Sequence, residues 1–276
     1  MATARVGDSQ LFYRVEGRHG DPVVLIHGSL SDHHTFDRAR RSLAVSLQVL
    51  VYDRRGYGES TGPAKAHAVA DDAADLAGLL EAANLYPAHL VAHSYGGAVA
   101  IRLAVDRPEL VRSLALHEPP FIGLLRDDPE TAAEGERLER GAQGIRALIG
   151  AGRIEEASRL LVDEFSGEPG SWDRLPAPTR QVQMGYATRW DEEFRDPEAA
   201  RPRATEVREL LLPVLLTVGG KSPPFLHRIV DRLGDLFRNA SVENLRDVGH
   251  VPQLAQPEEY AGVIGTFLLE RDVPTT

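Results

Sequence analysis

The chain has 276 residues and a mass of 30.2 kDa, with 42% hydrophobic and 26% charged residues, enough to bury one large core or two modest ones. A net charge of −10 argues against nucleic-acid phosphate or anionic lipid as partners, and the absence of cysteine removes disulfide scaffolds, thiolate metal sites and cysteine nucleophiles. No apolar run approaches the roughly 18 residues of a membrane span, and Met1 to Asp8 contain no apolar stretch of a secretory signal, so a cytoplasmic setting is expected.

Along the chain, short β-rich runs alternate with helical patterns, which predicts an α/β protein with a mainly parallel sheet. Strands are expected at Gln10 to Val15, Pro22 to Ile26, Leu47 to Tyr52, His89 to Ala92, Val111 to Leu116 and Val214 to Val218. Most of these are continuous apolar runs, as in strands buried on both faces. Each ends in polar, Gly or Pro residues, and ligands of open α/β sheets bind at that end. Helical stripes run through Val69, Ala73, Leu76, Leu80 and Ala83, then Leu226 to Phe237, then Tyr260 to Leu268. Ala98 to Val105 is apolar nearly all round, which predicts a buried helix ended by Asp106-Arg107-Pro108. Residues 121 to 210 break the rhythm with amphipathic helical patterns and no clear buried strand, so a helical insertion over one end of the sheet is expected.

Three segments carry the chemistry. His89-Leu90-Val91-Ala92-His93-Ser94-Tyr95-Gly96-Gly97 runs from an apolar strand into small-x-Ser-x-Gly and then into the buried helix. That is the pattern of a nucleophile elbow, with Ala92 at the first small position and the Ser94 hydroxyl at the helix N-terminus. The alternative is a serine that merely caps the helix. The second segment, Ile26-His27-Gly28-Ser29-Leu30, places a His-Gly turn at a strand end, like the loop that supplies one oxyanion-hole N–H in many serine hydrolases. This assigns the backbone N–H groups of Ser29 and Tyr95 to the oxyanion, with His27 read as a structural turn residue. The third, Asp247-Val248-Gly249-His250-Val251-Pro252, offers His250 as general base, since imidazole titrates near neutral pH.

These residues resemble those of the α/β-hydrolase fold, in its esterase, lactonase, perhydrolase-like and carbon–carbon hydrolase branch. Asp53-Arg54-Arg55-Gly56-Tyr57-Gly58-Glu59-Ser60 also resembles that family's structural turn after the fourth strand. The resemblance covers about residues 8 to 120 and 210 to 270. It implies a mostly parallel central sheet with helices on both faces, a core domain of residues 1–120 and 211–276, and a helical cap at 121–210.

The acid is where the sequence departs from the family pattern. After the seventh strand, where the family usually carries an Asp, the chain reads Val218-Gly219-Gly220-Lys221-Ser222. A hydroxyl cannot compensate an imidazolium. Some members of the fold place the acid at the end of the sixth strand, and His117-Glu118-Pro119 offers Glu118 there. Asp247 is second choice, and a Ser–His dyad without a carboxylate stays open.

The implied function is hydrolysis of an ester, lactone or related acyl bond of a small organic substrate, with Ser94, His250 and Glu118 catalytic, and with no cofactor and no metal. Self-association is left open. Two rivals remain: non-hydrolytic chemistry on the same scaffold (acyl transfer, a lyase reaction or a cyclisation), and a low-turnover ligand-binding protein. Phe165, Trp172, Met184, Tyr186 and Trp190 are expected in the core and pocket wall of the insertion. His33 and His34 are read as pocket-lining, His93 as facing the scaffold and His117 as packing or pocket-facing. The run Asp191-Glu192-Glu193 is read as a solvated helix face.

Overall fold

The structure is a computed structural model, and it describes residues 2–63 and 68–269, so residues 270–276 of the expected core domain lie outside the described residues. An eight-stranded sheet runs in the order β1-β2-β4-β3-β5-β6-β7-β8. Its strands are β1 (Ala2–Val6), β2 (Ser9–Glu16), β3 (Pro22–Ile26), β4 (Gln48–Tyr52), β5 (Ala88–His93), β6 (Val111–His117), β7 (Val214–Gly219) and β8 (Ala240–Leu245). β1 pairs with β2, and β2 with β4, antiparallel; the remaining pairs are parallel. Every residue of β5 and β7 is buried, which fits their largely apolar sequences.

The helices are α1 (Ala39–Leu43), α2 (Val69–Ala83), α3 (Tyr95–Asp106), α4 (Gly123–Arg126), α5 (Ala132–Gly150), α6 (Ile154–Ser166) and α7 (Ser171–Arg174). They continue with α8 (Ala177–Glu193), α9 (Pro197–Ala200), α10 (Ala204–Val207), α11 (Pro224–Gly234), α12 (Pro252–Ala255) and α13 (Pro257–Leu269). α2, α3 and α11 bury apolar stripes on one face of the sheet; Ala39 and Leu43 of α1 pack with Tyr260, Ile264 and Phe267 of α13 on the other. The central strands are thus shielded on both sides, and the loops at their C-terminal ends are left to build a site.

α4 to α10 all lie between β6 and β7. Their ends are not separate from the core: Leu124, Leu125, Ala199, Val207 and Leu210 join the large sheet cluster. A distinct cluster forms only in the middle, from Ile145 and Ile149 of α5, Ala157 and Leu161 of α6, and Ala187 and Trp190 of α8. Leu30, from the loop after β3, packs against that cluster and so ties the insertion to the sheet.

Candidate active site

Ser94 stands between β5 and α3 at φ 51° and ψ −123°, a backbone conformation that side chains with a Cβ rarely adopt. The surrounding residues are small because the chains approach closely. A Cβ on Gly96 would lie 2.6 Å from the Ile26 carbonyl oxygen, one on Gly97 2.9 Å from Pro119 Cγ, and one on Gly28 3.0 Å from Ser94 Cβ. The Ser94 hydroxyl makes no capping bond to α3, so the helix does not consume it. Ser94 is 7% exposed, at the edge of the core.

β5 and β6 run in register, His93 beside His117, so the residue after each strand emerges at the same end of the sheet. Glu118 follows β6, again at positive φ (46°), and is wholly buried. Its Oε2 accepts a hydrogen bond from His250 Nδ1 at 2.6 Å, and its Oε1 accepts the Gly219 N–H at 2.7 Å. Burial alone would raise the Glu118 carboxyl, but His117, the His250 bond and the nearby Ser222 hydroxyl overcome it and hold the group down at about 2. A carboxylate can only accept here, so Nδ1 carries the proton and Nε2 of the neutral ring is the basic nitrogen. Asp247 is exposed and makes no hydrogen bond to His250.

The ring of His250 is enclosed by aromatic neighbours. His93 lies 4.8 Å away, centroid to centroid, and its Nε2–H donates to the His250 carbonyl at 2.7 Å. Phe165 of α6 lies 5.1 Å from it and also meets Phe225 of α11.

The loop after β3 completes the geometry. His27 Nε2 accepts the Arg54 N–H at 3.0 Å, which leaves Nδ1–H to donate to the Gly28 carbonyl at 2.8 Å. Burial first, and the Arg54 charge second, push this imidazole down to about 3, so it stays neutral and structural. The Ser29 N–H and, at the first position of α3, the Tyr95 N–H have no protein acceptor among the described residues.

A family model described as "Alpha/beta hydrolase family" matches residues 23–263. The chain belongs to that family. This alpha/beta hydrolase is 26% identical over 290 residues to a pyrrolizixenacetamide deacetylase of Xenorhabdus hominickii, covering 99% of this chain and all of that protein. It is 34% identical over 116 residues to RutD of Azorhizobium caulinodans, but that match spans only 42% of this chain and 43% of the relative. Among solved structures, a thermophilic esterase from Thermogutta terrifontis superposes with a TM-score of 0.74 at 24% identity, over 98% of this chain and 97% of the other, which shows the common fold.

In this hydrolase the structure brings Ser94, Glu118, His250 and the Ser29 loop to one end of the sheet. One sequence reading is overturned. Glu193 at the end of α8 is wholly buried and Asp191 nearly so; they are not a solvated face. Glu193 accepts hydrogen bonds from Ser29 Oγ (2.5 Å), Arg54 Nη2 (2.6 Å) and Tyr57 OH (2.8 Å). Charge in the sequence suggested solvent, but helical spacing gives the opposite answer: Tyr186, Trp190 and Glu193 at i, i+4 and i+7 share a face, and Trp190 belongs inside. Arg54, treated as part of a structural turn, is also buried, with its guanidinium 4.5 Å from the ring centres of both Tyr57 and Tyr95.

The remaining predicted residues fall as follows. His117 is buried, pairs with Thr217 Oγ1 at 2.9 Å, and is pushed down to about 4 by burial, so it packs rather than faces a pocket. Trp172 and Trp190 are buried in the insertion, and Met184 is half-buried. Tyr186 accepts the Gly58 N–H at 2.9 Å and meets the Tyr57 ring. His33 is buried and bonded to Asp53 through Nδ1 at 2.8 Å; burial opposes its charge, but Asp53 outweighs that and raises it. Asp32, His33 and His34 lie close enough to one another to share a metal ion. The Nδ1 atom of each ring is bonded to a carboxylate, His33 to Asp53 and His34 to Asp37. Among the described residues no helix is long and apolar enough to cross a membrane.

Proposed function

We propose that this hydrolase cleaves an ester, lactone or related acyl bond of a small organic substrate through an acyl-enzyme at Ser94. Ser94 Oγ attacks the carbonyl carbon while His250 Nε2 takes its proton. The Glu118 carboxylate, bonded to Nδ1, holds the reactive tautomer and offsets the imidazolium charge. The N–H groups of Ser29 and Tyr95 receive the oxyanion. Collapse of the tetrahedral intermediate breaks the acyl–oxygen bond, and His250 returns the proton to the leaving alcohol. Water activated by His250 then attacks the acyl-enzyme and frees the acid and Ser94. Protein groups alone carry every step. The α5 to α8 helices serve as a cap, with the Phe165 ring 5.1 Å from that of His250.

The observation that carries this reading is the 2.6 Å contact between Glu118 and His250, at the sheet end where Ser94 keeps its hydroxyl free of the helix cap. The full-length similarity to a deacetylase supports acyl chemistry. The test is labelling by an activated fluorophosphonate and turnover of short p-nitrophenyl esters. Both are expected in the wild-type protein and absent in Ser94→Ala. A wild-type protein that neither labels nor turns over refutes the proposal.

A further inference from the structure

The mechanism leaves one buried charged cluster unused. Glu193 comes from α8 of the insertion, yet its carboxylate holds Ser29 Oγ, the side chain of a proposed oxyanion-hole residue. It also holds Arg54, whose Nη2 donates onward to the Gly28 carbonyl at 3.2 Å and whose Nε donates to the His27 carbonyl at 3.2 Å. Asp72 Oδ2 takes the third edge of the guanidinium at 3.2 Å.

The geometry of one peptide unit gives this arrangement a chemical meaning. The Gly28 carbonyl and the Ser29 N–H belong to the same planar group and point in opposite directions. Arg54 Nη2 and His27 Nδ1 both grip the carbonyl. The peptide cannot rotate without breaking both bonds, so the N–H on its far side is held in one direction. A glycine at 28 would otherwise let that unit turn easily. A positive charge on the carbonyl side also polarises the unit and makes its N–H a better donor. Glu193 secures both ends of this brace: it orients the guanidinium that holds the carbonyl, and it anchors the side chain of the residue that owns the N–H.

We propose that Glu193 is a positioning residue for the oxyanion hole, acting through Arg54 and Ser29, so that the donor is aligned only while the cap rests on the sheet domain. The inference rests on the acyl-enzyme reading and adds a cap-borne residue to it. Glu193 does not touch substrate; it acts on the direction of a single N–H group. A residue of the insertion thereby helps to set the direction of a donor on the sheet domain.

The decisive measurement compares kcat, KM and inhibition by an aryl trifluoromethyl ketone, whose serine adduct carries an oxyanion, across full-length variants. Ser29→Ala keeps the N–H and removes only the anchoring hydroxyl; Glu193→Gln keeps the shape and removes the charge that orients Arg54. Outright loss of an oxyanion donor costs about 10²- to 10³-fold in kcat, and a donor left in place but unbraced is expected to lose roughly 10- to 30-fold. Both variants should show that fall in kcat with KM changed by less than about twofold, and ketone affinity should weaken in proportion to kcat/KM. Ser29→Thr, which restores a hydroxyl, should recover most of the loss. A lower melting temperature with kcat and ketone affinity unchanged would overturn the proposal and leave the cluster as a fastening between helices. Should Glu193→Gln not fold, the Ser29→Ala and Ser29→Thr pair decides by itself. Wild-type protein that is not labelled at Ser94 removes the underlying reading and this inference with it; wild-type labelling with unchanged variants removes the inference alone.

Discussion

Replacing Glu118 by Gln tests the acid assignment with almost no change of shape. Both carboxylate oxygens are occupied by donors, His250 Nδ1–H at 2.6 Å and the Gly219 N–H at 2.7 Å. The amide has one oxygen and one NH₂ group, so one of these donors must face another donor. If the NH₂ faces His250, the ring is driven to the tautomer with Nδ1 unprotonated, and Nε2 can no longer accept the serine proton. If it faces Gly219, a buried N–H loses its acceptor, at about 1–3 kcal/mol of stability. In either orientation the negative charge that offsets the imidazolium is gone. Opposite charges about 4 Å apart at an effective dielectric near 20 attract by about 4 kcal/mol, which corresponds to roughly 10³-fold in rate. With the tautomer effect included, kcat should fall by about 10³- to 10⁴-fold. KM should change little, because the carboxylate does not meet the substrate. The assay is p-nitrophenyl ester turnover normalised to correctly folded protein by circular dichroism. A Glu118→Gln enzyme retaining a third or more of wild-type kcat would refute the assignment.

Other consequences follow from the same geometry. The Ser222 hydroxyl, on the loop after β7, stands near the Glu118 carboxylate. In a Glu118→Gln/Ser222→Asp double variant turnover should recover at least about tenfold over the single variant; no recovery would show that the β7 loop does not reach His250. His27 is held down to about 3, and His89 and His117 to about 4, each chiefly by burial, so the fold keeps them neutral while an unfolded chain binds their protons below about pH 6.5. Stability should therefore fall as pH drops from about 6.5 towards 4, by as much as about 4 kcal/mol per pH unit for three protons, and urea midpoints flat between pH 7 and 5 would contradict this. Glu118, held at about 2, adds a contribution that is present above about pH 4.5 and is lost as the pH falls from there towards 2. In Gly96→Ala the new methyl would press on the Ile26 and His27 carbonyl oxygens at 2.6 and 2.8 Å. A loss of about 1–3 kcal/mol in chemical denaturation is expected, with lower phosphonate labelling; wild-type values in both would show that the elbow has room.

The central strands could be read from the sequence because burial on both faces favours nearly continuous apolar runs, as in Pro22–Ile26 and Val214–Gly219. The two strands at the sheet ends could not. β1 buries only Ala4, and β8 buries only Leu245, so neither has a hydrophobic signature to betray it. Ser94 and His250 stood out because glycines and turn residues cluster around them for steric reasons that survive in sequence. Glu118 required the missing carboxylate after β7 to be noticed first. Glu193 and Arg54 stayed hidden because a buried ion pair and an exposed one look alike when each residue is read alone. Only the helical register of α8, which turns Glu193 towards the face of Trp190, separates the two cases.

The chain leaves the sheet through Glu118, whose backbone stands at positive φ, and enters the helical insertion at Pro119, which packs against Gly97 of α3. That junction fastens the first turn of the insertion to the strand end that carries Glu118. Phe121, Leu124 and Leu125, just beyond it, are buried in the sheet cluster, so the insertion is anchored at the point where the carboxylate is rooted. A substitution that loosens this anchor is expected to pull the Glu118 carboxylate away from the Gly219 N–H and His250 Nδ1 that it now meets.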